Sequence, residues 1–328
     1  MPYMSRRQAL RALAAVASLS IARHSLAQST YPNRPIRIVV PYPPAALTDL
    51  LARAIGERLA AGLGQPVVVD NKPGAGTLVG AEIVAKAAPD GYTLLMATST
   101  TLGISPALYP RSPIDPVRDF QPIAQVGSVN FFLIAHPDFP ARNVREMIDA
   151  IRANPGKYNY ASVGSGSPHH LFMETLKSEL GLSIQHVPYK GTPAALTDLL
   201  ANGVQIMFCD ATVALPNIQA GKVVALATSA AKPTGLVANV APVAATVPGF
   251  DWQAWQGVVA PAGTPKDVVA RLSGELAKML QNGEFRAQLV RFGMEPYAPQ
   301  SPDEFAAVIA SEQPRWVKAV KESGAKVD

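Results

Sequence analysis

Pro44-Ala45-Ala46-Leu47-Thr48-Asp49-Leu50-Leu51-Ala52 is spelled again, letter for letter, as Pro193-Ala194-Ala195-Leu196-Thr197-Asp198-Leu199-Leu200-Ala201, 149 residues further on. Each copy follows a strand-like run that closes in the same triplet, Val40-Pro41-Tyr42 and Val187-Pro188-Tyr189. A period that long excludes a solenoid, whose units recur every ~20–50 residues. It predicts two related lobes, each with a strand, a loop and a helix start at a matching place.

Outward from the copies, strand and helix patterns alternate. Ile36 to Val40 is a short β-branched run, Leu47 to Leu63 has helical spacing, Val67 to Val69 is a strand and Thr77 to Ala87 a helix. Pro89-Asp90-Gly91 turns the chain into the strand Tyr92 to Ala97. The series resumes with the strand Phe131 to Ala135, the helix Val144 to Ala153, the strand Tyr158 to Ser162 and the helix His169 to Leu180. Next come strands at Ile184 to Val187, Val204 to Cys209 and Val223 to Thr228, with a helix to Ala201 after the first of them. Helices at Asp267 to Gln281, Gly283 to Phe292 and Asp303 to Ser323 end the chain. Repeated βα units predict an α/β protein with mostly parallel, buried sheets flanked by helices. Chain crossings are expected near Gln125 to His136 and Trp252 to Ala260. Lobe 1 is therefore expected to take residues 28–130 and 256–328, and lobe 2 residues 131–255.

The composition agrees with a folded body. Of 328 residues, 48% are hydrophobic and 16% charged, against an ordinary share of about 25% charged. That excludes wholesale disorder, and the single cysteine, Cys209, excludes a disulfide framework. Cys209 ends an apolar run and reads as a buried thiol. The net charge of +5 is concentrated at one end: Arg6, Arg7, Arg11 and Arg23 stand in residues 1–27 with no acid. The remaining chain carries 25 basic and 24 acidic residues, which gives no electrostatic case for nucleic acid. Paired arginines, an apolar stretch from Ala12 to Ala22 and Ser25-Leu26-Ala27 read as an export signal cleaved after Ala27, with a twin-arginine look. The apolar stretch falls short of the ~20 residues that span a bilayer.

Three strand-to-helix loops are rich in small residues: Pro41 to Asp49, Ser162 to Leu171 and Tyr189-Lys190-Gly191-Thr192. Helix N-termini carry unpaired N–H groups and a partial positive charge, both suited to an anion. Ligands of open sheets sit beyond the carboxyl ends of strands. A hydrogen bond to a charged group contributes roughly 1.5–3 kcal/mol, so a few converging on one carboxylate suffice for micromolar binding. The candidate ligand-binding residues are Tyr42, Ala45, Ala46, Thr48, Asp49 and Ser99 in lobe 1. In lobe 2 they are Ser162, Gly164, Ser165, Gly166, Ser167, His170, Tyr189, Gly191, Thr192 and Asp210. Adjacent His169 and His170 point to different sides of a helix, which is poor metal geometry. Gly74 to Gly80 misses the dinucleotide fingerprint and reads as a turn. No metal, cofactor or catalytic residue is expected. A secreted hydrolase or lyase stays open as a rival on the serines and on His136, His169, His170 and His186, although no nucleophile turn is present.

These loops, with Asp70-Asn71-Lys72-Pro73-Gly74-Ala75-Gly76, Pro89-Asp90-Gly91-Tyr92-Thr93-Leu94-Leu95 and Ala260-Pro261-Ala262-Gly263-Thr264-Pro265, resemble the Bug family, the periplasmic substrate-binding proteins of tripartite tricarboxylate transporters. The likeness spans residues 31–328. It implies a two-lobe periplasmic-binding-protein (Venus flytrap) fold and a small organic carboxylate held by the proline loop and the Ser/Gly loop, partly through ordered waters. It also implies delivery to a membrane permease of one large and one small subunit. A membrane sensor is an alternative recipient, and the chain is expected to act as a monomer. Where the family usually has Gly-Gly after the prolines, this chain has Ala45-Ala46, and each alanine disfavours positive φ. Val237-Ala238-Asn239-Val240-Ala241-Pro242 also departs from the family wording.

Overall fold

The computed structural model describes residues 31–327 apart from 235, so the expected export signal lies outside the described residues. The chain opens with β1 (Ile36–Val40), α1 (Leu47–Leu63), β2 (Val67–Asn71), α2 (Leu78–Ala85), β3 (Thr93–Thr98), α3 (Ser105–Leu108) and β4 (Phe120–Val129). It crosses at Asn130 into β5 (Phe131–Ala135), α4 (Val144–Ala153), β6 (Asn159–Ser162), α5 (Pro168–Leu180), β7 (Gln185–Pro188), α6 (Thr192–Leu200), β8 (Ile206–Asp210), α7 (Ala211–Gln219) and β9 (Val224–Thr228). It then returns through β10 (Ala254–Pro261) to α8 (Lys266–Gln281), α9 (Gly283–Arg291), β11 (Met294–Pro296) and α10 (Pro302–Ser323).

Two sheets result. One has the order β11-β4-β10-β3-β1-β2 and the other β7-β6-β8-β5-β9. In the first sheet β1 to β4 share a direction while β10 and β11 run against it; in the second, β5 alone runs against the other four. Laid side by side, β2-β1-β3-β10-β4 and β7-β6-β8-β5-β9 are the same arrangement. Each carries its reversed strand in fourth place, where the chain passes between lobes.

That equivalence corrects one expectation. The nonapeptide copies do not occupy matching places. The first opens α1, which leaves the second strand of its sheet, β1; the other lies in α6, which leaves an edge strand, β7. The helix equivalent to α1 is α5, and the equivalent of α6 is α2. The two lobes are related by fold, and the repeated words are not the mark of it.

Buried side chains join the lobes. Helix α10 packs on β4 and also on α5 of the other lobe. Its Trp316 lies with its ring 4.7 Å from Trp252 and 6.4 Å from Phe172, while Phe131 meets Phe172 edge-on at 5.2 Å. Truncating one such ring costs about 3–5 kcal/mol. Trp255 is likewise buried, edge-on to Phe305 at 5.3 Å, and its indole N–H donates to Glu312 at 2.7 Å. Phe131, Phe132, Trp252 and Trp255 are therefore core. Cys209 is buried, and burial pushes its thiol up, away from reactivity.

Candidate functional site

Strands β1 and β6 hold equivalent places, and each delivers one candidate loop from its carboxyl end. In lobe 1 the loop from Pro41 leads to α1. Ala46 is the N-cap, with extended backbone and no side-chain cap. Ala45 has φ of +65°, so the chain keeps the left-handed turn that alanine was expected to disfavour. A non-glycine residue held there costs on the order of 1 kcal/mol or more, and it persists only when its surroundings impose it. The imposing group is Asp49, whose carboxylate accepts the Ala45 N–H at 2.9 Å. Asp49 also accepts from Asn71 Nδ2 at 2.9 Å and from Arg53 Nε at 3.0 Å. Burial alone would raise its pKa, but Arg53, the Ala45 amide and Asn71 outweigh it and hold Asp49 below the usual carboxylate range. Asp49 is thus a latch on the loop, with its lone pairs taken.

Hydroxyls floor this mouth. Tyr42 and Thr98 share a hydrogen bond of 3.1 Å, and Thr98 is 3.0 Å from Thr101. Burial raises the Tyr42 phenol against the opposing effect of those threonines, so it stays a neutral donor. Thr48 Oγ1 donates to Gln256 on β10 at 3.3 Å. Ser99 is fully buried, and among the described residues its Oγ has no partner; nor has the buried Oγ1 of Thr77, past β2.

In lobe 2 the loop from Ser162 to Ser167 turns twice through left-handed backbone, at Gly164 (φ +122°) and Gly166 (φ +76°). A Cβ on Gly166 would press on the Leu108 side chain of α3, so the loop touches lobe 1, and the positive φ there favours glycine. Ser167 caps α5 by accepting the His170 N–H at 3.3 Å, with Pro168 in the first turn as sequence predicts. The loop amides were read as open donors, and three of them are not. Gly164 N–H donates to Ser162 Oγ at 3.1 Å, Gly166 N–H to His170 Nδ1 at 3.1 Å and Ser167 N–H to Gly164 O at 3.2 Å. Ser165, at the tip, is the exposed residue of this loop.

His170 therefore supports the loop from beneath, and so does His186 on β7, which the sequence named only for the rival hydrolase or lyase. Its Nε2 lies 2.6 Å from Ser162 Oγ, and its ring stacks on His170 at 4.1 Å. Burial, then the neighbouring His186, lowers the His170 pKa to about 4. The imidazole stays neutral and able to accept at Nδ1 in ordinary buffers. Tyr160 lies 4.9 Å from the His186 ring and 6.4 Å from that of His170, and it donates to Glu174 at 2.5 Å. Ser162 and His186 form a serine–histidine pair, but Ser162 is fully buried. A nucleophile needs access and a third group to orient its base.

Beside this loop three helix N-termini meet. Thr192 at the start of α6 donates to Asp210 Oδ2 at 3.2 Å, Thr212 of α7 donates to Oδ1, and His169 of α5 stands with Nε2 3.7 Å from Oδ2. Asp210 caps α7 by position only, without a side-chain bond to the helix backbone. Tyr189 is directed elsewhere: its hydroxyl donates to Asp198, and burial followed by that carboxylate pushes its pKa up to about 12. The structure thus groups Ser162 to Ser167 with His170, and Thr192 with Asp210, while Gly191 (φ +103°) is the N-cap of α6. Among the described residues no group of three His, Cys, Asp or Glu could hold a metal ion, and no helix is long and apolar enough to cross a membrane.

Two α/β lobes joined by crossing strands, with small-residue loops at equivalent strand ends, define a two-lobe solute-binding protein. A family model described as the tripartite tricarboxylate transporter family receptor matches residues 51–325, and the chain belongs to that family. It is 34% identical over 323 residues to protein BugT of Bordetella pertussis, covering 96% of this chain and 98% of that one. Rpa4515 of R. palustris, solved with adipate, is 32% identical with a TM-score of 0.77, covering 90% of this chain and 100% of that one. MatC of Rhodopseudomonas palustris, solved with bound malate, is 33% identical with a TM-score of 0.73, covering 88% of this chain and 100% of that one.

Proposed function

We propose that the protein captures a small organic carboxylate between its lobes, outside the cytoplasmic membrane after removal of residues 1–27, and performs no chemistry on it. The closed form then delivers the acid to the large and small subunits of a membrane permease, and the carrier acts as a monomer. The observation that carries this reading is the pairing of two loops on equivalent strands β1 and β6, each ahead of a long helix. The N-terminal dipoles of α1 and α5, with the hydroxyls of Tyr42 and Ser165, supply the attraction for an anion. The acids bound to the two relatives are of the same chemical class. Closure follows only if the ligand touches both lobes, since a ligand shifts an equilibrium by its differential affinity.

Calorimetric titration of Ser165→Asp tests it, using an acid chosen by its rise in melting temperature. A fixed negative charge at the loop tip is expected to weaken binding more than tenfold with little change in Tm. Unchanged affinity would remove the Ser/Gly loop from the site.

A further inference from the structure

The two acids at the lobe mouths are in opposite conditions. Asp49 is saturated by Arg53, Asn71 and an amide. Asp210 has a side chain 18% exposed, and among the described residues no lysine or arginine pairs with it. Two threonine hydroxyls hold it in place, leaving lone pairs free on both oxygens. The desolvation that would raise its pKa is outweighed by His169 and the threonines, so it carries its charge. The nearest basic side chain, His169, is only 7% exposed, and among the described residues neither ring nitrogen has a hydrogen-bond partner. Its 3.7 Å separation from Asp210 is beyond hydrogen-bond reach. Buried polar groups left unpartnered are uncommon, and such pairs mark places where another group completes the network.

The place is beside the crossing between the lobes, where the Ala211 N–H donates to Asn130 O at 2.8 Å. Asp210 pairs in register with Phe131, the first residue past the crossing at Asn130, and His169 sits edge-on to the Phe131 ring at 5.0 Å. Strand β8 lies next to β6, with Ala161 opposite Met207. The end of β8 is therefore one strand over from Ser162 and two residues further on, roughly 8 Å by strand geometry. That is the reach of a ligand of about four to six chain atoms with its carboxylate at the Ser/Gly loop.

Resting on the binding function proposed above, we infer that Asp210, with His169 beside it, selects acids whose far end carries a hydrogen-bond donor, an amide, hydroxyl or ammonium, over those ending in a second carboxylate. An N–H or O–H arriving there satisfies the free lone pairs of Asp210, whereas a second carboxylate meets a like charge. His169 offers whichever ring nitrogen the donor group's own acceptor requires.

Matched half-amides and diacids decide the point: succinamate against succinate, glutaramate against glutarate and adipamate against adipate, titrated calorimetrically into the mature chain. In the wild type the tightest-binding pair is expected to favour the half-amide at least tenfold, and Asp210→Asn is expected to shrink or invert that ratio. A diacid bound as tightly as its half-amide by the wild-type protein would overturn the inference while leaving carboxylate binding intact. So would a natively melting Asp210→Asn with an unchanged ratio. Binding of no acid from any pair or from a wider carboxylate panel would strike at the proposed function itself, and the inference would fall with it. The wild-type ratio stands as a test even if Asp210→Asn does not fold.

Discussion

Pro44 to Ala52 and Pro193 to Ala201 are identical in sequence and different in structure. In the first, Pro44, Ala45 and Ala46 are loop and the helix begins at Leu47; in the second, the same three residues are already helical. The first buries Thr48, Asp49, Leu51 and Ala52, the second Ala195 and Leu199. The hydroxyls part company as well: Thr48 reaches across to Gln256, while Thr197 bonds back to Pro193 O at 2.9 Å, as a threonine within a helix does. The difference is set from outside the nonapeptide. Arg53 and Asn71 gather around Asp49 and leave it to hold the Ala45 amide, whereas Asp198 takes the Tyr189 hydroxyl. The same nine letters are a strained loop at the carboxyl end of β1 running into α1 in one lobe and part of an ordinary surface helix in the other.

Parallel substitutions sharpen or break that contrast. The largest difference is expected for the aspartates. Asp49→Ala removes the acceptor for an amide, an amide side chain and a guanidinium, and should lower unfolding free energy by about 3 kcal/mol. Asp198→Ala, which loses one hydroxyl partner, should cost about 1 kcal/mol. Denaturant titration of both variants measures it, and equal losses would deny that Asp49 is a latch. A smaller effect, opposite in sign, is expected for alanine. Ala45→Gly relieves a left-handed residue and should gain about 0.5–1 kcal/mol, while Ala194→Gly weakens a helix and should lose about 0.5–1 kcal/mol. Losses at both positions would mean that Ala45 is not strained.

Much of the frame was legible in the sequence. The predicted helix from Leu47 to Leu63 forms over that range, and the terminal helices differ by a residue at an end. Strands β4 and β10, by which the chain leaves and re-enters the first sheet, were harder. Strand β4 carries Pro122, Gln125, Gly127 and Ser128 at buried positions, and its pairing with β10 slips register twice, so neither strand shows an unbroken apolar run. Helix α7 was missed because Pro216 stands inside it. Within the site, loops rich in glycine, serine and proline announce themselves by composition. Their supports do not. His186 looks like any residue of an edge strand, and its role depends on a ring 16 residues back being stacked against it. The saturation of Asp49 depends on Asn71 arriving from β2, and the setting of Asp210 depends on Phe131 pairing with it just past the crossing at Asn130. Long-range juxtaposition is invisible to local pattern.

The most direct measurement is a crystal structure of the mature chain with a tightly bound acid. The carboxylate is expected between the lobes, within hydrogen-bond distance of Ser165 and of the β1–α1 loop. Density for the acid elsewhere, such as the charged hollow lined by Thr175, Glu179, Trp252 and Arg315, with the two loops untouched, would contradict it.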